Sequence, residues 1–150
     1  MKATVKTYLA ELKSRHQITD EQREQYAQKA EDVYRHSGYV EQYPGLMVHQ
    51  LCAKLVELLP QGFTFHSVIE QGMYSLLSMA KPQELQESEI AEFRALAVAK
   101  LEEQAAAKVQ AELDDFIAEE ETRAVEAAQQ KERDRIAQLK ADLLAEMTKA

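Results

Sequence analysis

Tryptophan is absent from this sequence, cysteine occurs once, and there are only three prolines and four glycines in 150 residues. The single cysteine, Cys52, excludes an intrachain disulfide, and a reducing, cytoplasmic setting is the simpler expectation. No stretch approaches the ~18 consecutive apolar residues that a membrane span requires. The first sixteen residues intersperse Lys2, Lys6, Glu11, Lys13 and Arg15 among apolar positions, which is unlike a signal peptide. The glycines, Gly38, Gly45, Gly62 and Gly72, are scattered, so neither GxGxxG nor GxxxxGK[ST] is present to cradle phosphates.

The motifs of catalysis are missing as well. There is no GxSxG and no CxxC or HxxxH pair. His49 and Cys52 lie three apart, close enough to share a helix face, but two ligands do not make a zinc site. His66 and Glu70 are four apart, a spacing at which a carboxylate could orient an imidazole. A solvated helix-surface pair accounts for the same two residues. The sequence therefore leads us to expect no enzyme, no metal, no cofactor and no catalytic residue.

What is abundant lies in the second half. After Pro82 neither proline nor glycine occurs again, and Ala, Glu, Gln, Lys, Arg and Leu dominate. These are strong helix formers. One helix over residues 83–148 would be roughly 100 Å long at ~1.5 Å per residue, far beyond the usual helix. Such a rod needs a partner along it. Charge is unevenly placed: residues 1–82 are net zero, residues 83–122 net −9 and residues 123–150 net +1, within a total of −8. Eight of the ten aromatic residues precede residue 82, so the bulky core formers sit in the first half.

The first half reads as four short helices. Val5, Tyr8, Leu9 and Leu12 fall at helical spacing. Thr19 with Gln22 has the form of a capping box opening a second helix, which Ser37-Gly38 would stop. Pro44-Gly45 would start a third, with an apolar face of Val48, Leu51, Cys52, Leu55, Val56, Leu58 and Leu59. Pro60-Gln61-Gly62 ends it, and a fourth helix over residues 64–80 would carry Phe65, Val68, Ile69, Met73, Leu76 and Leu77 inward. The expected fold is thus all-α: a four-helix N-terminal domain over residues 1–82, completed by residues 83–117, and a long acidic arm over residues 83–150. Near its end Ile136, Leu139, Leu143 and Met147 recur at spacings of three, four and four, a short coiled-coil pattern.

These features point to a non-enzymatic interaction module, an adaptor or inhibitor that binds a protein partner and forms a homodimer through its C-terminal helix. The candidate contact residues are Tyr34, Arg35, Tyr39 and Tyr43, because tyrosine and arginine bury area while keeping a polar tip. Packing of these rings on the bundle end is the plainer reading. To them are added Glu112, Asp114, Asp115, Glu119, Glu120 and Glu121 of the acidic stretch. Two alternatives concern nucleic acid. Lys2, Lys6, Lys13 and Arg15 make the first helix locally basic, a feature of phosphate binding. The acidic stretch could instead imitate DNA. At ~60 Å for forty helical residues, its charge density is about one per ~6.7 Å, against one per ~1.7 Å in duplex DNA, so a single helix imitates it poorly.

Overall fold

The structure, a computed structural model, describes residues 2–149. Its elements in order are α1 (Lys2–Arg15), α2 (Asp20–Val33), a π-helical turn (Tyr34–Gly38), β1 (Val40–Leu46), α3 (Val48–Leu58), a 3₁₀ turn (Leu59–Gln61), β2 (Thr64–Gln71), β3 (Tyr74–Ala80) and α4 (Gln83–Lys149). The expectation of an all-α protein is therefore incorrect: the three strands form one antiparallel sheet in the order β1-β3-β2. Contacts divide the chain into two units, Ile18–Glu103 and the described residues on either side of it.

In the first of these units the helix expected from Thr19 is present, and the cap is reciprocal. Thr19 Oγ1 accepts from the Gln22 backbone N–H at 3.2 Å, while Gln22 Oε1 accepts from the Thr19 N–H at 3.0 Å. The helix expected to start at Pro44-Gly45 starts instead at Val48. Pro44 and Gly45 belong to β1, where the two of them lie opposite Leu76 alone as a bulge. Gly45 has φ +70°, a left-handed value that excludes it from a helical first turn. Proline is tolerated there because β1 is an edge strand and Pro44 sits in its bulge, where the regular ladder is already interrupted.

The fourth expected helix is a β-hairpin. Gln71 pairs with Tyr74, leaving Gly72-Met73 as a two-residue loop with Gly72 at φ +71°. Glycine first in a two-residue loop matches the right-handed twist of the flanking strands. A second bulge sits at His66, between the pairs Phe65–Met79 and Ser67–Ser78. Both β1 and β2 run antiparallel to β3, so the crossover through α3 joins two parallel strands with β3 between them.

The core of this unit follows from strand alternation. Leu77 and Met79, two apart on β3, are fully buried on one sheet face, with Tyr43 and Val68 as the lateral neighbours of Leu77. From α3, Leu58 joins them, and Leu51 and Leu55 pack around the cluster with Leu46 and Phe63. Burying each large side chain contributes about 1.5–3 kcal/mol.

The other unit pairs α1 with the distal part of α4. Leu12 is fully buried. Tyr8 stacks on Phe116 with ring centroids 4.0 Å apart and planes at 22°. His16 Nε2 lies 2.8 Å from Glu112 Oε1, and Arg15 Nη1 donates to Glu112 Oε2 at 3.3 Å. The apolar face predicted for the first helix thus rests on the chain's own long helix at Phe116.

Candidate protein interaction surface

The four aromatic and basic candidates do not form one patch. Tyr34 is 1% exposed. Its hydroxyl donates to Glu89 Oε2 at 2.5 Å, and Lys81 Nζ donates to the same oxygen at 2.8 Å. Phe93 meets the Tyr34 ring edge to face at 5.4 Å. Burial and the neighbouring carboxylate both raise the Tyr34 hydroxyl pKa. Burial also pushes the Glu89 carboxyl up, but hydrogen bonds from Lys81 and Tyr34 and the Lys81 charge outweigh it, leaving Glu89 below its ordinary 4.5. This cluster, with Tyr34 buried and Lys81 and Glu89 half-buried, ties the π-helical turn to the start of α4.

Arg35 is exposed and donates to Glu31 Oε1 from Nε at 2.8 Å and Nη2 at 2.7 Å. Tyr39, half-buried, has its hydroxyl 3.3 Å from His66 Nε2, and the His66 Nδ1 lies 3.2 Å from Ser67 Oγ. His66 therefore meets Tyr39, not Glu70, as expected from helical spacing, because in a strand residues four apart are too distant. Tyr43 packs in the sheet core with Lys54 Nζ 4.8 Å over its ring. His49 and Cys52 are both exposed on α3. Among the described residues no three His, Cys, Asp or Glu side chains gather as metal ligands would.

The acidic candidates are spread along α4. Glu112 is engaged by Arg15 and His16. Asp114 accepts from Gln110 at 2.7 Å. Glu119 and Glu120 meet Arg123 at 3.5 and 2.7 Å. Asp115 and Glu121 are exposed. On α1, Lys6 and Lys13 are exposed while Arg15 faces Glu112; the Lys2 side chain lies outside the described residues. A network that sequence reasoning missed centres on Arg94, which donates to Glu24 and Glu31 at 2.7 Å each. No local pattern announces it, since the partners are more than sixty residues apart in sequence.

The largest continuous exposed element is the end of α4. Every residue from 121 to 149 is solvent-exposed. Within that run Val125, Ile136, Leu139, Leu143, Leu144 and Met147 are 42–73% exposed. Side-chain pairs support the helix locally: Glu132–Arg135, Gln130–Asp134 and Gln138–Asp142, all at 2.7–2.9 Å. Each such pair is worth only a few tenths of a kcal/mol. Among the described residues, no helix is long and apolar enough to cross a membrane. Comparison with known proteins finds no matching family model, no similar curated protein and no similar solved structure.

Proposed function

We propose that this chain is a non-enzymatic protein–protein interaction module of the adaptor or inhibitor kind, self-associating through the last part of α4. One observation carries the reading: residues 121–149 are helical with every side chain in solvent, yet keep aliphatic groups at helical spacing. A helix of that length gains most of its stability from packing an apolar face, since nucleation is costly and propensity alone is marginal. Exposed aliphatic groups in register are the feature expected of a surface that is covered when the protein works.

The test is the mass of the full chain in solution. Wild type should scatter light as an oligomer, and Leu139→Glu with Leu143→Glu should return it to monomer mass, since both carboxylates would be buried unpaired in the seam. Far-ultraviolet circular dichroism of the double variant should retain the sheet and most of the helix. A wild-type chain that stays monomeric at several hundred micromolar would refute the self-association. Partner binding by the rest of the molecule is tested separately, by capture with wild-type chain from its native cell extract against the double variant.

A further inference from the structure

Each outer strand of the sheet has one side without a neighbour, and the two edges differ. β1 carries Pro44 and a bulge, and its Val40, Tyr43 and Leu46 are half-buried. Proline and bulges are common means by which a sheet edge is closed to further pairing. β2 has no proline, and past the bulge at His66 its residues 67–71 run in regular register with β3. Along that edge Phe65 and Ile69 are 58% and 53% exposed, and Met73 and Tyr74 at the hairpin end are exposed with them.

The register with β3 fixes which main-chain groups are free. The residues that close a two-residue hairpin, here Gln71 and Tyr74, exchange both N–H···O bonds, and bonded and non-bonded pairs then alternate along the ladder. Ile69 and Leu76, and Ser67 and Ser78, are therefore bonded pairs, while Val68 and Glu70 turn their N–H and C=O groups away from β3. No strand lies on that side, since the sheet order is β1-β3-β2. Two donors and two acceptors thus line the open edge at the spacing of another extended chain.

We infer that an extended segment of a partner protein, bearing a basic residue, adds to the sheet as a fourth strand along β2; this deepens the reading of the chain as an interaction module and rests on it. Strand addition takes its affinity from main-chain bonds and its specificity from alternate side chains. Antiparallel pairing gives four bonds to Val68 and Glu70 and sets the partner residue between them against Ile69, at the closest approach of the ladder. An apolar side chain there covers Ile69. Glu70 is the only Asp, Glu, Lys or Arg between Glu57 and Lys81, so the residue directly opposite it is matched by Lys or Arg. A second copy of β2 fits this edge poorly. The one antiparallel register that joins all four groups to regular strand residues pairs Val68 with Glu70 of the other copy. It places the two Glu70 carboxylates on one face as diagonal neighbours, in a chain of net charge −8.

Panning a phage-displayed library of random linear heptapeptides on the full chain supplies the probe. The enriched peptides should share a Lys or Arg followed by an apolar residue. As a free peptide, the tightest of them should shift the backbone amide resonances of Val68 and Glu70 and slow their exchange with solvent. Methylating its backbone nitrogens one at a time should abolish binding at alternate positions only, since alternate amides face β2. Glu70→Pro removes an N–H that takes no part in the ladder with β3, and should weaken the peptide about tenfold with the far-ultraviolet circular dichroism unchanged. Glu70→Lys keeps the main-chain groups and should weaken it about two- to five-fold at low salt. No enrichment over the bare support would overturn the fourth strand. Peptides that shift amides of α3 or α4 instead would overturn it while leaving the interaction module in place; failure of the module's self-association is read separately, in the light-scattering mass of the chain without peptide. Protection of Val68 and Glu70 that rises with protein concentration in the absence of peptide would give the edge to a second copy and overturn the inference as well.

Discussion

At the scale of single residues, the cluster of buried Tyr34 with half-buried Lys81 and Glu89 is where the electrostatics are most consequential. Glu89 is held below its ordinary 4.5, so in the folded state it stays ionised at pH values where the unfolded chain has taken up a proton. Its contribution to stability is complete above that ordinary value and is lost as pH falls through the lowered one. Thermal or urea unfolding should show a decline in stability beginning near pH 4.5 and continuing below it, and Glu89→Gln should flatten that part of the profile. An equally steep acid slope in the variant would assign it to other carboxylates. Tyr34→Phe keeps the ring against Phe93 and removes a charge-assisted donor, so a loss of about 1.5–3 kcal/mol in urea unfolding is expected. Gly38 belongs to the same cluster. A Cβ there would lie 2.7 Å from Tyr34 Cδ2, so Gly38→Ala should destabilise by about 1–3 kcal/mol through overpacking.

At the scale of elements, the hairpin separates what the sequence discloses from what it conceals. Phe65, Val68, Ile69, Leu76 and Leu77 fit a helical stripe, and they equally fit two strands folded on each other. Gly72 is the residue that discriminates. In a helix interior glycine costs about 1 kcal/mol, whereas at φ +71° in a two-residue loop it relieves the strain any other residue would carry. Nothing lies within 4 Å of a Cβ built at Gly72, so Gly72→Ala isolates the backbone term. It should cost about 1–2 kcal/mol in denaturant unfolding, by the left-handed penalty alone. A neutral effect would mean the loop relaxes to another turn. Other elements were plain locally: the Thr19–Gln22 capping box and the uninterrupted formers of α4 each need only near neighbours. The candidate contacts were less legible, because Tyr34 and Tyr43 owe their burial to Phe93, Leu77 and other groups distant in sequence.

At the scale of the whole molecule, the two units differ in where their stability comes from. Ile18–Glu103 holds a core of leucine, methionine and tyrosine packed around β3. The end of α4 has no such core, and in the proposed dimer its packing is supplied by mass action. Binding to the folded state stabilises by RT ln(1 + [L]/Kd), about 2.7 kcal/mol at a hundredfold excess over Kd. The two regions should therefore respond differently to protein concentration. Amide hydrogen exchange measured across a hundredfold range should show protection in residues 125–147 rising with concentration, while amides of β3 exchange at a constant rate. Uniform protection along α4 at every concentration would show that its end is held by something within one chain. Equal concentration dependence in β3 would show instead that dimerisation is coupled to folding of the sheet.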